Sequence, residues 1–199
     1  MNMKETVKMA VVLTGSSALA AFLLAATNMI TKDPIAKAAR AEKMDAIRRV
    51  LPEFDNDPDK DSVAIEHGGR TWVFYVARKA GAFAGAAVAA ESQKAYSGRI
   101  EVLVGVAADG RVTAVEALQQ NETPGLGAKI ANAADPFMRQ FKGLDAARTR
   151  WAVVKDGGDI QAITGATITS RAVTAAVKEA LEVFAGNRDR IEGGRGGKK

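Results

Sequence analysis

No charged residue occurs between positions 9 and 30, a run of 22. A helix of that length spans about 33 Å, enough for the hydrocarbon core of a bilayer. Leu13, Leu19, Phe22, Leu23 and Leu24 supply its apolar centre, and Thr14, Gly15, Ser16 and Ser17 are small enough to mark a helix-packing face. The rival reading is a cleaved signal peptide with Lys4 and Lys8 as its basic start. The run exceeds the usual apolar region of such a leader, and residues 27–30 are a poor cleavage context. A retained anchor over residues 1–32 is therefore favoured. Asp33-Pro34 predicts a new helix start, with proline at the first helical position. Met44, Ile47 and Leu51 recur at helical spacing until Pro52, and the acidic stretch 55–61 reads as a loop. Residues 33–62 form a stalk helix and linker on this reading.

The pattern then changes. Residues 71–77 (T-W-V-F-Y-V-A) are rich in β-branched and aromatic side chains and predict a strand. Residues 81–90 are a run of small side chains that periodicity leaves unassigned. Ile100, Val102, Val104 and Val106 alternate with Glu101, Leu103 and Gly105, a half-buried strand. Asp109-Gly110 is a hairpin signal, and residues 112–118 return as its partner. Asp135-Pro136 opens a short helix, residues 151–154 suggest a short strand, and residues 156–159 a turn. Val173, Val177, Leu181 and Phe184 mark one face of a last helix, with Thr169 or Ser170 as its N-cap and Gly186 at its end. Strands in a meander with separate helices predict an α+β domain over residues 63–187.

Composition narrows the chemistry. There is no cysteine, which excludes disulfides, thiolate metal sites and iron–sulfur ligation. The single histidine, His67, cannot build a His-rich metal centre and sits in an expected turn, Glu66-His67-Gly68-Gly69. The net charge is +5, much of it from Arg188, Arg190, Arg195, Lys198 and Lys199. Residues 188–199 thus read as a basic flexible tail. No basic face is interleaved with aromatic residues, so nucleic acid is not an expected partner. Lys32, Lys37, Arg40 and Lys43 after the anchor outnumber Lys4 and Lys8 before it, which favours a cytoplasmic domain on charge alone. Any electron transfer requires an external cofactor.

Two stretches carry candidate chemistry. Thr164-Gly165-Ala166-Thr167-Ile168-Thr169-Ser170 places hydroxyls and a glycine before the last helix, whose unpaired N–H groups suit a phosphate. An ordinary cap and turn would use the same residues. Glu122-Thr123-Pro124-Gly125-Leu126-Gly127 holds a Pro-Gly turn that would project Glu122 and Thr123 into whatever it faces. It also reads as a plain loop.

Taken together, and with Tyr96-Ser97-Gly98-Arg99-Ile100, the two stretches resemble the FMN-binding domain of the Rnf and sodium-translocating NADH:quinone reductase complexes. The resemblance covers most of the chain after the anchor. It implies a mixed domain with an antiparallel sheet and flanking helices, and FMN held covalently by a phosphoester to Thr167, attached by a flavin transferase. It also implies that Thr164, Gly165 and Ala166 pack near the phosphate, with Glu122, Thr123, Gly125 and Leu126 near the flavin. The family usually has aspartate three residues before the motif, where this chain has Gln161; Asp159 is the candidate substitute. One anchor and about 200 residues look like the G subunit of the Rnf complex, with the longer C subunit of the quinone reductase as the alternative. The implied partners are other membrane subunits of a redox complex. The implied location is the inner membrane, with the flavin domain on the periplasmic side. A non-redox ligand-binding module and a purely structural subunit are the readings from other classes.

Overall fold

The computed structural model describes residues 3–194. They divide into two units, meeting at Glu42 and Lys43. The first is helical throughout and belongs to α1 (Met3–Val50). Leu13, Phe22 and Leu24 are exposed along it, and α1 is long and apolar enough to cross a membrane. Asp33-Pro34 does not start a new helix: Pro34 lies inside α1. Proline lacks one N–H and crowds the preceding turn, but the flanking residues keep their own helical bonds, so the helix runs through it.

The second unit is built on a five-stranded antiparallel meander: β1 (Ser62–His67), β2 (Arg70–Lys79), β3 (Ala82–Ala95), β4 (Gly98–Ala107) and β5 (Val112–Gln119). After it come α2 (Pro136–Arg139), α3 (Thr167–Gly186) and α4 (Arg188–Gly193). The α+β expectation holds, with two strands added. The small-residue run becomes β3, fourteen residues long, and His67 ends β1 rather than standing in the turn. Residues 151–154 form no strand; only Val153 makes an isolated bridge, to Ile160.

Both faces of the sheet are covered, which explains the weak alternation. Phe74, Val76, Val88, Val102 and Val104 point to the face that buries Val173, Val177, Leu181 and Phe184 of α3. Ala77, Ala87 and Leu103 point to the other face, against Ala46, Ile47, Val50 and Leu51 at the end of α1. Leu103, expected on a polar face, is therefore buried in the centre of β4. Small residues in β3 let helices approach from both sides. The last turn of α1 is held by the Thr113 hydroxyl, which donates to the Val50 carbonyl, and by Arg49 forking onto Glu116. The expected flexible tail is corrected for residues 188–193. They form α4, with Ile191 buried and the Glu192 carbonyl accepting from Arg78 at 2.8 Å. Residues 195–199 lie outside the described residues.

Candidate functional site

Three turns at one end of the sheet converge. The first is the β3–β4 connection, Tyr96-Ser97. The second follows β5, where Thr123 accepts at its carbonyl from the N–H groups of Leu126 and Ala128, each at 3.1 Å. The third is the start of α3. Its approach is fixed by the Gln140 side chain, which donates to the Gln161 carbonyl at 2.9 Å and accepts from the Gln161 N–H at 2.8 Å.

α3 starts differently from expectation. Its N-cap is Ala166, which has no side chain able to cap, and neither Thr169 nor Ser170 fills that role. Ser170 instead accepts from the Ile163 N–H at 3.0 Å and donates to the Ala166 carbonyl at 2.9 Å, tying the motif loop to the helix from inside. The first intrahelical bond runs from the Ser170 N–H to the Ala166 carbonyl. The N–H groups of Thr167, Ile168 and Thr169 thus have no acceptor within the helix, and that end carries roughly half a positive charge.

Beside this end lies a cavity of about 430 Å3. That volume is ordinary for a small-molecule or cofactor site. Glu122, Thr123, Leu126, Gly165, Ala166 and Thr167 line it, so six of the eight sequence-derived site residues border one cavity. Thr164 and Gly125 do not line it and are exposed on the adjoining turns. Tyr96, Gly127, Ile168 and Thr169 complete the lining. Gly127, Ile168 and Thr169 fall inside the two motif stretches and Tyr96 inside the 96–100 stretch quoted with them, but nothing in a linear motif says which of its side chains turn inward.

Glu122 is the anchor of this arrangement. It is 6% exposed, and its carboxylate accepts from the Ser97 N–H at 2.8 Å and from the Thr169 hydroxyl. One buried side chain thereby joins all three turns. Its polar capacity is directed inward, so the projecting role read from the turn belongs to Thr123 more than to Glu122. Gly127 makes the packing possible: a Cβ there would lie 2.5 Å from the Glu122 carboxylate and 2.8 Å from the Thr169 hydroxyl. Gly165 has φ +80°, and a Cβ would sit 3.0 Å from Leu126, so this glycine serves both the turn and the approach of the two walls. Among the described residues no group of three or more His, Asp or Glu stands ready for a metal.

Two surface ion pairs brace the loop before the motif. The Arg150 side chain holds the Asp159 carboxylate at 2.9 and 2.6 Å, and its backbone N–H adds a third bond at 2.8 Å. Arg171 similarly holds Asp156 at 2.6 and 2.7 Å. Asp159 is thus committed to Arg150 rather than to the motif. The hydrogen bonds from Arg150 hold its carboxyl below the ordinary value, and those from Arg171 do the same for Asp156. A depressed pKa stabilises the fold above the unfolded value of about 3.9, and the contribution is lost as the pH falls through the folded value. Asp159→Asn is expected to remove a small contribution at neutral pH, because the pair is exposed, and to shallow the fall in melting temperature below about pH 4 by the same small amount. Melting curves from pH 5 downwards check this; an unchanged acid slope would count against it.

Comparison with known proteins agrees with this geometry. The FMN-binding domain family model matches residues 95–182, which contain all three turns and nearly all of α3. The RnfG N-terminal region matches residues 1–50, which include the whole of α1. The chain is 35% identical over 193 residues to the G subunit of the ion-translocating oxidoreductase complex of Aliivibrio fischeri, covering 89% of this chain and 92% of the relative. The corresponding protein of Pseudomonas aeruginosa is 38% identical over 180 residues, covering 85% and 84%. That of Cereibacter sphaeroides is 37% identical over 183 residues, covering 88% and 82%. The chain belongs to the G-subunit family of ion-translocating oxidoreductase complexes. It is an FMN-binding electron-transfer subunit by domain and family. As a G-family chain it joins a transmembrane-length helix to one flavin domain, and the cavity described above lies within the matched flavin-binding region.

Proposed function

We propose that Thr167 carries the FMN covalently and that the loaded domain relays electrons between neighbouring subunits of a membrane redox complex. The observation that supports this best is the position of Thr167. It is half-buried, lines the cavity, and is the first residue of α3, where three N–H groups lack helical acceptors. A phosphate esterified there would meet a helix N-terminus with no bulky side chain on the preceding turn. The chain's residues also fit the rest of the group: the cavity beside Thr167 has an ordinary volume for a cofactor, and Gly127 and Gly165 let the turns that line it pack closely, where a Cβ would collide with Glu122, Thr169 or Leu126.

Attachment makes Thr167 an acceptor, not a catalyst. Its Oγ bonds to the flavin-side phosphorus of FAD, the hydroxyl proton is released, the pyrophosphate P–O bond breaks and AMP leaves. A flavin transferase performs that step on this reading. When bound, the isoalloxazine ring supplies the redox chemistry. The protein's share is to position it: Glu122 holds the three turns together, and Thr123 and Leu126 form the opposing wall. A phosphoester prevents loss of the group into a dilute compartment. We further assign α1 as a retained single-pass anchor in the inner membrane, with the domain on the periplasmic side as the family resemblance implies. The basic residues after the apolar run favour the opposite side, which gives the assignment a sharp test.

Intact mass of the chain produced with and without a flavin transferase is expected to differ by one FMN residue, and the transferase-free chain to be colourless. Protease added to spheroplasts is expected to digest the domain and leave a protected, membrane-bound fragment near Met1. Identical masses would remove the covalent assignment, and a fully protected domain would reverse the orientation.

A further inference from the structure

Large apolar side chains are scarce on the surface of the folded unit. Outside α1, the exposed ones among the described residues are Val73, Tyr96, Leu126, Val154 and Ile168. Three of these five, Tyr96, Leu126 and Ile168, line the same cavity, from three different turns. Their exposures are 69%, 42% and 47%. Sheet surface elsewhere is shielded by charge, as where Arg99 bridges Glu91 and Glu101 at 2.9 and 3.0 Å. Apolar groups gathered at the mouth of a cavity mark a surface that is covered in the working protein.

The backbone beneath Tyr96 is rigid. It follows Ala95, which pairs with Gly98 across the β3–β4 turn, and the next N–H is locked onto the buried Glu122 at 2.8 Å. The phenol is therefore offered from a fixed base with only two side-chain torsions. No hydrogen bond or ring contact occupies Tyr96 among the described residues, so its ring is available for stacking. Opposite it stand aliphatic side chains, Leu126 and Ile168, rather than a second aromatic or a charge.

We propose that Tyr96 is a flavin-stacking residue: its ring lies on the isoalloxazine, which Leu126 and Ile168 enclose from the adjoining turns. This deepens the assignment of FMN to Thr167 and rests on it. A planar, electron-poor ring system suits such a clamp, because stacking on an electron-rich phenol adds to the apolar area covered. The hydroxyl of Thr167 fixes the phosphate end, and the three apolar groups fix the ring end. Tyr96 also sits at the open edge of the site, where it governs how much of the ring a neighbouring redox protein can reach.

The test uses the full chain in detergent, flavinylated in the cell, with flavin content read by intact mass. A phenol in contact with an excited flavin donates one electron and recovers it on return to the ground state, so it quenches emission. Wild-type emission is expected to rise several-fold on denaturation. Tyr96→Phe is expected to brighten the folded protein several-fold while keeping the wild-type absorption maxima, because phenylalanine stacks but does not donate. Tyr96→Leu is expected to brighten it similarly and to shift the maxima. Equal emission and lifetime in folded wild type, Y96F and Y96L, all bearing one flavin, would overturn the proposal and leave Thr167 standing. Absence of flavin mass on the wild type would instead overturn the attachment on which it rests.

Discussion

Replacing Thr167 with alanine is expected to abolish flavin fluorescence of the protein band on a denaturing gel while the fold survives. The cavity wall loses its only proposed point of covalent attachment, so the loss is complete rather than graded. The structural cost is small for a specific reason. Thr167 is not the cap of α3, since that position belongs to Ala166, and the hydrogen bonds that secure the loop are those of Ser170. A half-buried threonine outside such a network is worth no more than about 1 kcal/mol. Thr167→Ser keeps the hydroxyl and is expected to retain the flavin. A T167A band as bright as wild type would sink the assignment, and a mutant that unfolds would show that the threonine is structural.

Glu122→Ala is expected to be the most destabilising single change in the site, by about 2–3 kcal/mol. Truncation removes the acceptor of a backbone N–H and of a buried hydroxyl together, at Ser97 and Thr169, and leaves a void beside Gly127. Because three turns meet at this carboxylate, their spacing should loosen together. Flavinylated protein in detergent is expected to unfold at lower urea, with the flavin spectrum changing before the bulk of the sheet melts. Glu122→Gln keeps an oxygen for Ser97, and the Thr169 hydroxyl can reverse its bond, so it is expected to be milder. Equal stability of E122A and wild type would mean that the carboxylate is dispensable and that the turns are held by backbone bonds alone.

Much of the molecule follows from local pattern. The uncharged run predicts a membrane-length helix because only its length and polarity matter. β2 is legible from its β-branched and aromatic composition, β4 from the alternation of Ile100, Val102, Val104 and Val106, β5 from the Asp109-Gly110 hairpin signal, and α3 from its spacing of three and four. The two motif stretches taken singly also read as a cap and a loop, and their chemistry is legible through the resemblance of the pair to the FMN-binding domain. β3 is illegible because Ala86 and Val88 face one layer while Ala87 faces the other, all buried, so no period survives. Residues 151–154 have strand composition, but a strand needs a partner, and Gly158 packs so closely on Ala152 that the chain turns back after a single bridge. The exposed Arg188 does not announce that Ile191, three residues on, would be buried and hold the chain's end in place.

By itself, then, the sequence determined the α+β class of the domain, the apolar helix before it and the two stretches that meet at the site, while the choice of Thr167 within them follows from the family resemblance. Apart from that choice, each is a property of neighbours in the chain, where spacing and residue type suffice. Only the tertiary structure decided that Glu122 is a buried clamp rather than a projecting group, that Ala166 caps α3, and that Tyr96 stands at the mouth of the cavity. The bond from Thr169 to Glu122 joins residues 47 apart, and that from Ser97 joins residues 25 apart. Contacts at such separations exist only once the meander has folded and α3 has packed across it, because burial of the sheet face by α3 is what brings the three turns to one place.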